Sequence, residues 1–234
     1  MKPVNCEGVR RVGDPAEYAR RYDEQGIDEL LFLDVVASLY RRNSLRDLVA
    51  GVVDATFVPC CVGGGIKSVF DVRDLLLAGA DKLAVNTAAI ERPGLIDEIA
   101  KAFGSQALVI QIDAKRKEHG WEAYCDGARQ PTGKDAVAWA KECVDRGAGE
   151  ILVTGIDNEG TRRGFDLDLV EQVSKVRVPV VASGGCGHAG HAVEAIKAGA
   201  SGVALAHMLH YNLATVAGIK ADMMAAGIAM RVAA

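Results

Sequence analysis

An internal repeat of about 120 residues restricts the possible folds more than any other feature of this sequence. Three pairs of segments are similar, follow the same order and keep the same spacing: GIDELLFLD at 26–34 with GAGEILVTG at 147–155, VPCCVGGGI at 58–66 with VPVVASGGCG at 178–187, and AGADKLAV at 78–85 with AGASGVAL at 198–205. Self-similarity at a fixed period is typical of a chain assembled from repeated supersecondary units. The sequence therefore predicts two copies of one structural half.

Each half alternates short apolar segments, rich in β-branched residues, with longer amphipathic ones, which favours β-α units and a parallel sheet. Strands are predicted at 29–33, 56–62, 82–85, 107–112, 150–153, 178–182 and 202–205. Helices are predicted near 15–25, 44–53, 68–78, 93–103, 134–146, 167–175, 189–198 and 209–226. This pattern predicts an α/β fold, a TIM (β/α)8-type barrel of two half-barrel repeats.

The first half lacks one element of the repeat. The strand at 107–112 opens the second half, and its counterpart would lie before Met1. We therefore expect either a seven-strand barrel with the first strand missing, whose outer strands would leave unpaired edge groups, or a sequence whose start has been truncated or misassigned. No linker or composition shift divides the chain, so 1–234 is interpreted as a single β/α-barrel domain, with half-barrels at about 1–104 and 105–234.

Composition excludes several classes of protein. The 234 residues are 50% hydrophobic and 25% charged with a net charge of -4, which excludes disorder, collagen-like repeats and coiled coil. Charges of both signs are scattered, so no basic stripe is present for a nucleic acid or an anionic membrane. Because the chain has no apolar stretch of ~18 residues and no secretory signal, we expect a cytoplasmic protein.

The cysteines and histidines do not form a metal-binding pattern. The six cysteines contain no Cys-x-x-Cys and are predicted to be small buried hydrophobic residues in a reducing compartment. His188 and His191, like His207 and His210, form a His-x-x-His pair without an obvious third ligand nearby. We expect neither a metal site nor a cofactor.

Two glycine-rich turns follow corresponding strands of the two halves. Such turns expose backbone N–H groups that can bind phosphate oxygens at a helix N-terminus, although the glycines could also serve only to make tight turns. The turns and the neighbouring strand ends are Gly63-Gly64-Gly65 with Asn86-Thr87, and Ser183-Gly184-Gly185 with Ala206-His207. Two opposed phosphate sites imply a substrate with a phosphate at each end.

Carboxylates follow the strands at the same end of the predicted barrel, where barrel enzymes place their reactive groups. Asp34 ends LLFLD, Asp113 ends VIQID, and Asp157 and Glu159 lie in TGIDNEGT. A carboxylate at the end of a buried apolar strand is energetically unfavourable unless it is paired or takes part in a reaction, and burial would raise its pKa. These residues are therefore candidate acids and bases. The alternative is a structural carboxylate that accepts hydrogen bonds from loop N–H groups.

Charged residues begin three strands at the opposite end of the barrel. Glu29, Lys82 and Glu150 occupy these positions, and the repeat relates Glu29 to Glu150. They could form an alternating charged ring around the floor of the barrel. The alternative is an ordinary salt bridge that serves stability, as charged residues at the N-terminal mouth normally do.

Across nearly its whole length the sequence resembles the cyclase subunit of imidazole glycerol phosphate synthase. The motifs that carry the resemblance are GDPAEYA, GIDELLFLD, VGGGI, GADKLAVNTAA, FGSQALVIQIDAKR, PTG, GAGEILVTGID-x-x-GT, GFD and VVASGG. That family is a TIM barrel with two phosphate sites, paired with a glutaminase whose ammonia crosses the barrel. The resemblance implies a glutaminase bound at the N-terminal face of the barrel, and a bis-phosphorylated ribosyl intermediate converted to imidazole glycerol phosphate and AICAR in histidine biosynthesis.

The resemblance also implies roles for individual residues. Asp113 corresponds to one of two catalytic aspartates that act as general acid or base. Glu29, Lys82 and Glu150 match three members of a charged gate for ammonia. The expected substrate and phosphate contacts are Asp34, Gly64, Gly65, Asn86, Thr87, Thr154, Asp157, Glu159, Gly160, Ser183, Gly184, Gly185, Ala206 and His207.

The sequence departs from the family pattern in three places. The family's other catalytic aspartate and the gate arginine belong to its first strand and would lie before Met1, so the chain as written is not expected to run the full reaction. The segment 157–161 reads DNEGT where the family has Asp-Arg-Asp-Gly-Thr. His207 stands where the histidine-pathway enzyme carries the second residue of a small Ala-Ser pair.

Three other functions remain open beside the cyclase. One is a paralogue that transfers ammonia to a sugar during surface-polysaccharide biosynthesis, which the last two departures favour. Another is a non-catalytic barrel that only activates a glutaminase, which the missing aspartate favours. A sister isomerase of the same pathway fits less well, because SQALVIQIDAKR resembles the cyclase.

Overall fold

A computed structural model describes residues 13–34 and 45–231. The strands are β1 (Leu30–Leu33), β2 (Cys60–Gly63), β3 (Lys82–Val85), β4 (Leu108–Arg116), β5 (Trp121–Cys125), β6 (Gln130–Asp135), β7 (Glu150–Gly155), β8 (Val180–Ser183) and β9 (Gly202–Ala204). The helices are α1 (Pro15–Glu24), α2 (Leu45–Val53), α3 (Val69–Leu77), α4 (Thr87–Glu91), α5 (Gly94–Phe103), α6 (Ala136–Asp145), α7 (Leu167–Val173), α8 (Ala189–Lys197), α9 (His207–His210) and α10 (Val216–Ala225). A 3-10 turn at Ser105–Ala107 precedes β4.

Parallel strands with intervening helices form a nearly closed barrel. The strand order is β1-β2-β3-β4-β7-β8-β9, and every neighbouring pair along this path is parallel. This architecture confirms the predicted TIM-type α/β fold. Each of the seven predicted strands is present among the described residues; 82–85 matches β3, and the other six have shifted ends.

The two halves of the barrel have the same strand register, as the repeat predicts. Leu30 lies opposite Cys60 in the first half, and Ile151 lies opposite Val180 in the second. The hydrogen bond that begins each strand pair is also the same. Leu30 N–H donates to the carbonyl of Pro59, and Ile151 N–H donates to that of Pro179. The prolines have no N–H to give to a ladder, which explains why β2 and β8 begin only after them.

Side-chain caps define where several helices begin. The Asp14 carboxylate accepts the first N–H groups of α1, and Ser68 forms a reciprocal capping box with Asp71 at the start of α3. The side chains of Asp135 and Thr215 each accept a backbone N–H in the first turn of α6 and α10, respectively. These residues satisfy N–H groups that have no partner inside the helix, so the helix starts are encoded locally.

An antiparallel extension interrupts the β-α alternation after the fourth strand. β4 continues to Arg116, β5 pairs antiparallel to the end of β4, and β6 pairs antiparallel to β5. The turn between them has Asp126, Gly127 and Ala128 at positive φ of 52°, 68° and 69°. The strands β5 and β6 and the short helix α4 were not predicted, because these segments are too short to show a clear apolar period.

Among the described residues, the apolar core forms two clusters outside the barrel and one inside it. A large cluster packs the helices against the outer faces of the strands and includes fully buried Leu83, Leu108 and Ile110. Inside the barrel lies a small layer of four buried residues, Cys61, Ala84, Val109 and Leu152. Residues of neighbouring strands at one level fill the interior of such barrels, so the middle of the barrel is packed rather than open.

The sheet path ends at β1 and β9, and within the described residues each of these strands pairs with one neighbour only. Side chains connect the elements on the two sides of this open edge. The Tyr22 hydroxyl lies 2.7 Å from Nδ1 of His210, and Arg21 donates to the same hydroxyl at 3.1 Å. Lys220 donates to Asp28 at 2.6 Å. Helices and loops thus hold the two ends together without a strand ladder.

Candidate active site

Inward-facing side chains change in character from one end of the barrel to the other. Along β4 the inward positions alternate through Val109, Gln111 and Asp113, as the two-residue period of a strand requires. Charged side chains form the floor, the apolar layer lies above it, and polar side chains form the mouth at the carboxyl ends of the strands. The floor contains Glu29, Lys82 and Glu150, and the mouth contains Asn86, Gln111, Asp113, Thr154 and Ser183.

The carboxylate of Asp113 is the central group of the mouth. Its residue is only 1% exposed, although it is charged and lies at the end of an apolar strand. Asn86 donates from Nδ2 to Oδ2 of Asp113 at 3.1 Å, and Gln111 donates from Nε2 to Oδ1 at 3.1 Å. Nδ2 of Asn86 also donates to the carbonyl of Tyr124 at 3.2 Å. A buried carboxylate needs such donors, and here both oxygens have one.

Both glycine turns adopt a left-handed backbone conformation. Gly64-Gly65 and Gly184-Gly185 all have positive φ, between 71° and 109°. A Cβ on Gly64 would overlap the carbonyl oxygen of Asp34, and one on Gly185 would overlap that of Gly164. Glycine is therefore needed at these turns for backbone conformation and for close approach.

Two adjoining cavities divide the predicted site residues according to the repeat. The first-half cavity, about 410 Å³, is lined by Asp34, Gly64, Gly65, Asn86 and Thr87. The second-half cavity, about 540 Å³, is lined by Asp113, Thr154, Glu159, Gly160, Ser183, Gly184, Gly185, Ala206 and His207. Leu33 and Gln111 line both cavities and therefore mark their junction.

The second-half cavity also extends to the floor. Glu29 lines it at the bottom of the barrel, and Leu31 and Leu33 line it along β1, beside the open edge. Leu31 is 37% exposed although it lies within a strand of the barrel. The cavity thus connects the level of the charged floor with the level of Asp113.

Asp157 lies apart from the other predicted site residues. Its carboxylate accepts the backbone N–H of Arg116 at 2.9 Å, and the residue is exposed and lines neither cavity. Its neighbour Asn158 donates to the carbonyl of Gly164 at 2.8 Å, which holds the loop that presents Glu159 to the second-half cavity. The contact of Asp157 corresponds to the structural alternative raised for these carboxylates.

Other predicted contacts lie at the rim of the mouth. Thr154 is 8% exposed and lies in register between Asp113 and Ser183. Ala206 is exposed. The ring of His207 packs against that of Tyr211, with 4.7 Å between the ring centroids. Because His207 begins the four-residue helix α9 directly after β9, its side chain lies beside the second-half cavity.

The structure brings the three floor residues into direct contact. Nζ of Lys82 lies 2.7 Å from Glu29 and 2.8 Å from Glu150, so one ammonium serves two carboxylates from the two halves. Burial opposes the charge of Lys82, but its hydrogen bonds to Glu150 and Glu29 outweigh that effect and raise its pKa. Burial raises the pKa of Glu29, and the ammonium of Lys82 offsets this effect only in part.

Sequence reasoning missed the groups that surround Asp113. Gln111 and the carbonyl of Tyr124 were not considered, and Asn86 was considered only for phosphate. The signal for Gln111 was present, because a residue two positions before Asp113 on a strand faces the same way. The contact with Tyr124 depends on the hairpin β5–β6, which had no clear signal.

The described residues show neither a metal-binding cluster nor a membrane-spanning helix. In 13–34 and 45–231, no three or more His, Cys, Asp or Glu side chains are grouped so that they could hold a metal ion. Over the same residues, no helix has both the length and the apolar character needed to span a membrane.

The sequence matches one protein family over most of its length. The model of that family, described as histidine biosynthesis protein, matches residues 1–215. The imidazole glycerol phosphate synthase subunit HisF of Myxococcus xanthus is 49% identical over 233 residues, covering 99% of this chain and 92% of the relative. The subunit of the same name from Gluconacetobacter diazotrophicus is 47% identical over 233 residues, covering 99% and 90%. One from Legionella pneumophila is 54% identical over 189 residues, covering 80% and 89%.

Proposed function

The chain belongs to the histidine biosynthesis protein family, and from this premise we infer that it is a HisF-type cyclase subunit of imidazole glycerol phosphate synthase in histidine biosynthesis. The observation that carries the mechanism is the pair of adjoining cavities. Each contains one glycine turn from one half of the repeat, and they meet at Gln111 beside Asp113. A substrate with a phosphate at each end fits this arrangement, one phosphate in each cavity and the reacting atoms between them.

Phosphate binding rests on the glycine turns and the strand ends beside them. Main-chain N–H groups of Gly64-Gly65 in one cavity and Gly184-Gly185 in the other supply donors without a positive side chain, as anion-binding loops do. Thr87 and Ser183 add hydroxyl groups at the same two places. Nδ2 of Asn86 is committed to Asp113 and Tyr124, so Asn86 serves the carboxylate with its side chain.

Asp113 is the proton-transfer residue of the proposed mechanism. Ammonia addition, bond cleavage and ring closure each require a proton to move between nitrogen or oxygen atoms of the substrate. A buried carboxylate that lines the second-half cavity, two residues along β4 from Gln111 at the junction, is placed to accept and return that proton. The amide donors on its two oxygens fix its orientation toward the substrate.

Ammonia is proposed to enter from the floor. The relatives are named as subunits, and we propose that a glutaminase subunit binds this chain at the N-terminal face of the barrel. The supporting observation is that Glu29 and Asp113 line one cavity beside the open edge at β1. The proposed path runs along that cavity, because Cys61, Ala84, Val109 and Leu152 fill the centre of the barrel. The contacts of Lys82 with Glu29 and Glu150 would control entry to that path.

The test measures consumption of the bis-phosphorylated ribosyl intermediate with ammonium as the nitrogen source, both by this chain and by a form extended to any earlier in-frame start that supplies the family's other catalytic aspartate. Asp113→Asn should lower the rate about 10²–10⁴-fold, as expected for loss of a general acid or base. The matched control is Asp145→Asn, because Asp145 is an exposed carboxylate that pairs with the exposed Arg177 and lines neither cavity. Equal rates for the two variants would refute the role of Asp113.

The same assay separates the other functions. If the wild-type chain neither binds nor consumes the intermediate, the substrate is another one, and an amino-sugar precursor is the next to test. If it only stimulates a glutaminase, Asp113→Asn should leave that stimulation unchanged. Consumption without any ammonium would favour an isomerase.

A further inference from the structure

Gln111 lies at a position of the active site to which the proposed mechanism gives no chemical role. It is two residues before Asp113 on β4 and faces the barrel interior from the level just below it. It lines both cavities, so it lies where the two ends of a bound substrate would meet. Any effect that it has on the reaction must act on the substrate directly or through Asp113.

The hydrogen bonds favour an effect of Gln111 through Asp113. Nε2 of Gln111 donates to Oδ1 of Asp113, and Nδ2 of Asn86 donates to Oδ2, each at 3.1 Å. Asn86 is itself fixed by its second bond to the carbonyl of Tyr124. The carboxylate cannot rotate about its Cβ–Cγ bond without losing one donor or both. Amide groups carry no titratable proton, so they orient the carboxylate without competing with it in proton transfer.

We propose that Gln111 is a positioning residue for the proton transfer at Asp113, holding Oδ1 so that the carboxylate faces the junction of the two cavities. This inference rests on the proposed function. Residues that orient a reacting group through a hydrogen bond typically change activity 10–100-fold when they are replaced, through the chemical step rather than through substrate binding.

The first test is Gln111→Met, which keeps the length and approximate volume of the side chain and removes the donor. With the intermediate and ammonium, kcat should fall about 10–100-fold while KM stays within about twofold. Gln106→Met is the matched control, because Gln106 is an exposed glutamine whose amide donates to the backbone carbonyl of Phe103. Unfolding midpoints of both variants show whether the fold is retained.

The second test is Gln111→Glu. If Gln111 had only a structural role, the activities of Gln111→Glu and Gln111→Met would depend on pH in the same way. A glutamic acid can donate to Asp113 only when it is protonated. Activity of Gln111→Glu relative to wild type should therefore rise as the pH falls from 8 toward 5, while that of Gln111→Met should stay level. The other acidic, basic and tyrosine side chains that line the two cavities are common to all three proteins. They are Asp34, Lys67, Glu91 and Asp126 in the first-half cavity and Tyr18, Tyr22, Glu29, Asp113, Glu159, Arg162, His207 and His210 in the second-half cavity.

The outcomes separate this inference from the proposed function. If Asp113→Asn is inactive and Gln111→Met has the wild-type kcat, the inference is wrong and the function stands. If KM rises with kcat unchanged, Gln111 binds substrate and the inference is also wrong. If Asp113→Asn keeps full activity, the proposed function fails first.

Discussion

Replacing Lys82 by methionine should destabilise the protein in a pH-dependent way. The substitution keeps the length of the side chain but leaves Glu29 and Glu150 facing each other without the ammonium that both now contact. Removing one partner of a fully buried ion pair costs about 3–5 kcal/mol, and a surface pair is worth about 0–1 kcal/mol. The three side chains are 25%, 33% and 17% exposed, so a loss of about 2 kcal/mol at pH 7 is expected.

The sign of the pH dependence follows from Glu29. Burial already raises its pKa above the ordinary value, so the folded state holds this proton more tightly than the unfolded state does. Such a group costs stability as the pH rises through and above the ordinary pKa. Without Lys82 that cost grows, because the two carboxylates then repel each other as well. The difference between Lys82→Met and wild type should therefore shrink as the pH falls from 7 to 5.

Urea unfolding at pH 7 and pH 5, followed by tryptophan fluorescence, measures both quantities. The control is the triple variant Glu29→Gln, Lys82→Met, Glu150→Gln, which removes all three charges and should lose less stability than the single variant. A loss below about 0.5 kcal/mol at pH 7, or a loss that is larger at pH 5, would show that the three charges are not coupled as the contacts indicate.

Three further effects follow from named contacts. Gly185→Ala should abolish binding of the phosphorylated intermediate, measured by calorimetry, because a Cβ there overlaps the carbonyl of Gly164 at a φ of 96°; Gly51→Ala, with nothing within 4 Å, should bind normally. Burial, together with positive charge including Arg21, lowers the pKa of His210 to about 4, so stability should fall as the pH drops from about 6.5 toward 4. His210→Gln should flatten that decline in a urea titration series. His207→Ser, which shortens a side chain at the second-half cavity, should change KM for the intermediate and leave the unfolding midpoint unchanged.

The strand predictions show what an apolar pattern can and cannot locate. The predicted strand at 82–85 matches β3 residue for residue, because charged and glycine-containing turns bound it on the sequence. The predicted strands at 56–62 and 178–182 start too early, since Pro59 and Pro179 cannot join the ladder. The strand at 107–112 is longer than predicted, because its end pairs with β5 and β5 could not be recognised locally.

The residues of the candidate site were predictable only in part. Residues that follow parallel strands must gather at one edge of the sheet, so the grouping of the glycine turns, Asp113 and Thr154 was accessible from strand order alone. The contact of Asp157 with Arg116 was not, because it depends on how far β4 extends past the barrel. The roles of these residues in binding and catalysis remain predictions.

The sequence by itself determined the architecture. A 120-residue repeat with a two-residue apolar period in the strands and capped amphipathic helices between them leaves little choice but a barrel of two similar halves. Only the tertiary structure decided which polar groups meet. Lys82 contacts Glu29 and Glu150 across the barrel floor, and Asn86 and Gln111 hold the two oxygens of Asp113. Hydrogen bonds act over about 3 Å, whereas sequence patterns record only which face of an element a residue occupies, so these pairings appear only when the strands are placed side by side.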